Sequence, residues 1–201
     1  MKDKQKPLVI CITGKMGSGK STVARMFREH FGIPVYNADE RAKALMHGER
    51  LKKEIISVFG EKSFKNDVLN RQWLAEKVFH DEELLKKLEA IVHPAVYEDF
   101  LRWKEAHHEK NYVILENAIL FKSGMDRFCD WIIYVRAGDK TLIERIKQRD
   151  GLSERQIKAR WRHQPLNVNK IKKRVLFIDN DNTLDDLLIK IKKIYLKIDD
   201  N

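Results

Sequence analysis

Apolar positions along the chain follow two patterns. Short unbroken runs mark Leu8–Thr13, Pro34–Tyr36, Tyr112–Glu116, Trp131–Val135 and Val175–Asp179. Runs of that length, bounded by turn-forming or charged residues, predict strands buried inside a parallel sheet. Elsewhere apolar residues recur every three or four positions. That spacing predicts helices over Lys20–Phe31, with Val23, Ala24 and Phe27 inward, and over Ala38–Met46, Lys140–Arg149 and Thr183–Lys197.

Between about residues 50 and 110 the helical spacing dominates. Leu51, Ile55, Ile56 and Phe59 form one stripe, which Gly60 stops. Leu74–Phe79, Glu82–Val92 and Ala95–Ala106 repeat it, with His93-Pro94 standing where a proline is expected to fix a bend between helices. Gly151–Lys173 is polar and basic, with weak helical spacing over Ser153–Trp161. Five strands alternating with helices predict an α/β fold, a five-stranded parallel sheet flanked by helices. The 201 residues suit one domain, with a helical insertion over 50–110 and a lid over 150–173.

Composition narrows the function classes only a little. A hydrophobic fraction of 43% is enough for a packed core. No apolar run reaches the roughly 18 residues that span a bilayer. Leu8–Thr13 is too short for a signal-peptide core, and no small-residue cleavage site follows it, so a cytoplasmic location without membrane partners is expected. Cys11 and Cys129 each lie in an apolar run, which predicts two buried, reduced thiols and no metal-ligand spacing. The net charge of +10 suits either nucleic acid or a small ligand carrying several phosphates. Lys190, Lys192, Lys193 and Lys197 fall on the solvated face of the terminal helix, so charge alone does not choose.

The motif that chooses is Gly14-Lys15-Met16-Gly17-Ser18-Gly19-Lys20-Ser21, a complete G-x-x-x-x-G-K-[ST] between a predicted strand and a predicted helix. Glycines let successive backbone N–H groups converge on a phosphate, and the helix adds its positive end. Lys20 is the bridge to the β- and γ-phosphates, and the Ser21 hydroxyl is a ligand for Mg²⁺ arriving with ATP. A GTPase would also need N-K-x-D, whose nearest match is Asn169-Lys170-Ile171-Lys172, ending in the wrong residue. No L-S-G-G-Q signature of a transporter ATPase exists, and helicase or motor cores need a longer chain. The small kinases remain, in which a basic lid follows the fourth strand. Arg145, Arg149, Arg155, Arg160 and Arg162 crowd that stretch, as neutralising a transferring phosphoryl group requires.

With these features in place the chain resembles the dephospho-coenzyme A kinase family from Leu8 to about Leu187. The landmarks are Ile12-Thr13-Gly14 into the phosphate loop, Asn37-Ala38-Asp39, Leu69-Asn70-Arg71 with Val78-Phe79, and His93-Pro94. Ala118-Ile119-Leu120-Phe121, the Arg145 and Arg149 pair, Arg160 with Gln164, and Ile178-Asp179-Asn180 complete them. Their order and spacing carry the resemblance. Lys15, Ala118 and Lys122 depart from it, standing where the family usually has Gly, Pro and Glu. An Ala-Asp pair before the last strand is missing, and Asp181 and Asn182 follow Asn180 in place of a glycine.

The resemblance implies phosphorylation of the ribose 3′-hydroxyl of dephospho-coenzyme A by ATP and Mg²⁺, the last step of coenzyme A synthesis, with no nucleic-acid partner. It implies ATP contacts from Gly14, Gly17, Ser18, Gly19, Lys20, Ser21, Thr22, Arg145 and Asn180. Asp39, Arg71, Glu116 and Arg160 are then expected at the acceptor, and Lys20, Asp39 and Arg149 in catalysis. By its own chemistry Asp39, just past a strand end, is a carboxylate able to orient a hydroxyl and accept its proton, or else to cap a helix. Glu116 at another strand end suits a Mg²⁺-bound water, the acceptor, or plain solvent. Trp73 and Trp103 are expected in the core. The remaining readings are a kinase for a nucleoside or sugar acid and a nucleic-acid-stimulated ATPase.

Overall fold

The fold was analysed in a computed structural model that describes residues 6–79, 81–162 and 174–200. At its centre β1 (Leu8–Thr13) is buried at every position after Leu8, because the strand is covered on both faces. It pairs in parallel with β5 (Tyr112–Glu116) on one side and β6 (Trp131–Arg136) on the other. Outside these lie β2 (Val35–Asn37), against β5, and β7 (Arg174–Asp179), against β6, giving the order β2-β5-β1-β6-β7. The register sets Ile12 beside Glu116 and Ile133, and Asn37 beside Glu116. Polar residues at the carboxyl ends of β2 and β5 therefore meet, at the edge where open α/β sheets bind ligands.

One face of the sheet is covered by α1 (Lys20–Phe31) and α8 (Leu184–Asp199). Val23, Ala24, Phe27, Leu187, Ile191 and Ile198 pack there with Ile10, Ile12, Ile114, Ile133 and Val135, all within 2% exposure. Each large side chain so buried contributes about 1.5–3 kcal/mol, which holds the strand ends in place. α6 (Asp139–Asp150) follows β6 and buries Leu142 and Ile146. α7 (Glu154–Trp161) begins where Ser153 and Gln156 form a reciprocal capping box, the S-x-x-Q pattern of a helix start.

The chain divides into two compact units, one running through Asn37 and resuming at Lys104, the other covering Ala38–Trp103. The second contains α2 (Ala38–Leu45), α3 (Glu49–Phe59), α4 (Arg71–Phe79) and most of α5 (Glu82–Ala106). Leu51, Ile55, Leu69, Leu74 and Ala95 form its own small core, with Trp73 packed against it.

Three features differ from what the sequence pattern predicts. β3 (Phe64–Lys65) and β4 (Val68–Leu69) make a hairpin inside the helical unit, turning through Asn66 and Asp67 with φ of 49° and 63°. Two-residue strands are too short for alternation to register, and Asn-Asp is a turn pair that tolerates positive φ. The helices expected on either side of His93-Pro94 are one helix of 25 residues with Pro94 inside it. A proline there costs about 3 kcal/mol. Burial of Val92, Ala95, Val96 and Phe100 along the same helix outweighs it. Finally, Cys11 and Cys129 are buried as expected but joined in a disulfide, with Cα atoms 5.6 Å apart. Their partnership spans 118 residues, and only the pairing of β1 with β6 brings them together.

Candidate active site

The loop between β1 and α1 is shaped by close approach. A Cβ at Gly14 would collide with the carbonyl oxygen of Val135 on β6, and one at Gly19 with the amide nitrogen of Asn180. Gly19 also sits at φ 90°, in the left-handed region that glycine tolerates. The loop is thus pressed onto the ends of β6 and β7. Asn180, 7% exposed, fastens it by donating from Nδ2 to the Ser18 carbonyl at 2.8 Å, while its own N–H donates to the Arg136 carbonyl.

Lys20, the first residue of α1, is 9% exposed, and its Nζ donates to the Lys15 carbonyl at 3.2 Å. The Ser18 N–H also donates to the Lys15 carbonyl, at 3.1 Å. Next to Lys20, Ser21 donates from Oγ to Glu116 Oε1 at 2.6 Å. Asn37 donates to the second oxygen, Oε2, at 3.1 Å. Glu116 is 6% exposed, so one buried carboxylate ties the ends of β2 and β5 to the first turn of α1. A hydroxyl and a carboxylate side by side are hard oxygen donors, the set that suits Mg²⁺ carried in with a nucleotide. Among the described residues no group of three or more His, Cys, Asp or Glu side chains forms a separate metal cage. Thr22 lies half-buried in the same turn.

The arginines lie beyond β6. Arg145 on α6 has its Nη1 buried without a partner. Arg149, near the end of α6, grips the neighbouring Asp150 with both Nε and Nη2, at 2.9 and 2.8 Å. That fork, with Arg160 of α7 adding its charge, holds the Asp150 carboxyl below the ordinary carboxylate range. Gln164 and residues 163–173 of the expected lid over 150–173 fall outside the described residues. Asp39 and Arg71 belong to the second unit. Asp39 is an exposed residue in the first turn of α2, where a carboxylate suits the helix dipole, and it is not the cap. Arg71 opens α4, with Nη2 3.5 Å from His47 Nε2. His93, inside α5, lies with its ring centroid 6.3 Å from that of Tyr97.

Several residues around the loop carried no signal in the sequence reading. Asp139 at the start of α6 pairs with Lys15 Nζ at 2.9 Å, and Trp161 at the end of α7 lies under the same ammonium, 4.7 Å from ring centroid to Nζ. Burial pushes the Tyr134 phenol up, and a backbone hydrogen bond with Lys15 opposes the shift. Asn117, 2% exposed, accepts the Ile119 N–H and donates to Ser123 Oγ, shaping the turn after Glu116. Asp139, Asn117 and Trp161 each stood at or beside a predicted element boundary, but the Lys15 contacts of Asp139 and Trp161 cross more than 100 residues, and nothing local in the sequence reveals them.

A family model described as dephospho-CoA kinase matches residues 8–186. Among curated proteins, the dephospho-CoA kinase of Fusobacterium nucleatum is 36% identical over 187 residues, covering 92% of this chain and 96% of its own. That of Geobacillus kaustophilus is 37% identical over 183 residues, covering 89% and 90%. A crystal structure from Thermus thermophilus superposes with a TM-score of 0.81 at 34% identity, over 96% of this chain and 98% of the other. The dephospho-CoA kinase of Campylobacter jejuni gives 0.68 at 28%, over 94% and 96%.

Proposed function

The chain belongs to the dephospho-CoA kinase family, and from that membership we propose how its own residues divide the work. It is a kinase that phosphorylates dephospho-CoA with ATP in coenzyme A biosynthesis. The acceptor atom we assign is the ribose 3′-hydroxyl, the reaction being the last step of the pathway. The observation that carries the assignment of roles is the contact of Ser21 with Glu116 beside Lys20. It gathers an ammonium, a hydroxyl and a buried carboxylate at the mouth of a phosphate loop.

In this reading the loop residues Gly14, Gly17, Ser18, Gly19, Lys20, Ser21 and Thr22, with Arg145 and Asn180, hold ATP. Ser21 would ligate Mg²⁺, and Glu116 would hold its water or the acceptor. Bound there, Mg²⁺ would neutralise charge on the phosphate chain. Lys20 and Arg149 stabilise the transferring phosphoryl group, Arg149 by leaving Asp150 for it. Asp39, Arg71 and Arg160 bind the acceptor, and Asp39 orients the hydroxyl and takes its proton. The helical block over 50–110 is the acceptor-binding insertion, and 150–173 the lid. We assign the enzyme to the cytoplasm. No helix among the described residues is long and apolar enough to cross a membrane.

The test is a substrate screen. Purified protein with ATP and Mg²⁺ should phosphorylate dephospho-CoA in preference to nucleosides, nucleoside monophosphates and gluconate, and ³¹P NMR of the product should show a 3′-phosphomonoester. Phosphorylation at the 2′ position would overturn the acceptor assignment.

A further inference from the structure

Among the described residues, three buried side-chain polar atoms lack a hydrogen-bond partner: Ser18 Oγ, Arg145 Nη1 and Trp161 Nε1. Buried donors are nearly always satisfied, and leaving one unmade costs about 1–3 kcal/mol. All three lie around the phosphate loop. Ser18 is in it, and α6, which carries Arg145, lies against it, its Ile146 side chain 2.9 Å from where a Gly17 Cβ would stand. Trp161 meets it through Lys15. Ser18 and Arg145 already have a ligand in the proposed nucleotide site. Trp161 does not.

Lys15, inside the phosphate loop, is the residue whose side chain meets Trp161. That side chain spans three elements: it leaves the loop, pairs with Asp139 at the start of α6, and lies over the Trp161 ring at the end of α7. Its carbonyl is meanwhile the acceptor for Lys20 Nζ. Among aromatic side chains an indole is the best face for a cation.

We propose that Lys15 and Trp161 form a latch fastening α7 to the phosphate loop, and that the Trp161 indole N–H donates to a phosphate oxygen of bound nucleotide. Lys15 is a positioning residue for the known reaction: it holds the ring, and the ring presents the N–H to the phosphate chain. The proposal rests on the nucleotide reading of this loop.

Its test is a double-mutant cycle on Lys15→Met and Trp161→Ala, read as KM for ATP and kcat. Each single change should raise KM for ATP about tenfold, with a smaller loss in kcat. The double variant should be little worse than either single, a coupling of roughly three- to tenfold. Lys15→Arg, which keeps a cation over the ring, should recover most of the loss. Trp161→Phe keeps a ring but no N–H, and should fall between wild type and Trp161→Ala. If the alanine variant does not fold, Trp161→Phe carries the test through fluorescence. Wild-type tryptophan emission should change on adding ATP, and the Trp161→Phe variant should lose that change. A wild-type KM in both single variants, independent multiplying effects in the double, or an ATP signal unaltered in Trp161→Phe would each overturn the latch. Lys20→Ala separates the two failures: normal turnover there would sink the nucleotide reading itself, whereas lost turnover beside normal Lys15 and Trp161 variants sinks the latch alone.

Discussion

Lys20 and Arg149 are the two cations proposed to meet the transferring phosphoryl group, yet they stand in different positions before substrate arrives. Lys20 is buried in the first turn of α1 with its ammonium on a loop carbonyl, so little has to move for it to meet a γ-phosphate. Charge developing in a site that excludes water is stabilised strongly by such a preplaced group. Lys20→Ala should therefore keep the thermal midpoint within a few degrees and lower kcat by about 10²-fold or more. In the proposed role Arg149 must exchange the Asp150 carboxylate for phosphate, and the planar fork matters in both places. Arg149→Lys should lower kcat about tenfold, because an ammonium offers no matching pair of donors. Steady-state assays with unchanged kcat would return Arg149 to a surface ion pair. Asp39→Asn tests the proton acceptor while preserving size. General-base help is typically worth about 10²–10⁴-fold, and a late proton transfer in a loose transition state shrinks it. A fall of about tenfold or more in kcat, with KM for ATP unchanged, is expected; a variant matching wild type in turnover and acceptor KM would refute the role.

At the scale of elements, legibility followed sequence distance. The strand, loop and helix from Leu8 to Phe31 were readable because their signals are contiguous, and the observed bounds coincide with the pattern. The capping box at Ser153 and Gln156 was available in the same way, three residues apart. What sequence could not give is which separate elements touch. Glu116 was recognisable as a strand-end carboxylate suited to a Mg²⁺-bound water, the acceptor or solvent, but not as the partner of Ser21, 95 residues away. The two cysteines read as reduced thiols for the same reason: nothing local reveals that Cys129, just before β6, is brought against Cys11 of β1. That bridge makes a prediction of its own. Closing a loop of more than 100 residues restricts the unfolded chain, and removing such a bridge typically costs about 2–5 kcal/mol. Cys129→Ala should lower the denaturation midpoint accordingly. Alkylation of the unfolded, unreduced protein should find no free thiol, and two labelled cysteines would contradict the bridge.

For the molecule as a whole, charge sets both solubility and the response to acid. The chain carries +10 near neutrality, and lowering the pH neutralises its 30 carboxylates while leaving the 40 Lys and Arg charged. Self-repulsion grows as a result. Specific pairs add a second cost. Asp179 sits beside Arg136 and Asp150 beside Arg149, and the hydrogen bonds hold both carboxyls below their ordinary values. A carboxyl whose folded value is depressed favours the folded state when ionised. Its contribution is complete above the unfolded value of about 4 and disappears as the pH falls through the lower folded value. The Asp179 pair also anchors the end of β7 to β6, immediately before Asn180, which holds the phosphate loop. Asp179→Asn should therefore melt below wild type from pH 7 down to about pH 5, and the two curves should converge as the pH drops below about 4. Thermal midpoints measured at pH 7, 5, 4 and 3 decide it. A gap between the proteins that stays constant down to pH 3 would mean that the substitution acts through packing, and that the Arg136 pair contributes nothing to the acid sensitivity of the fold.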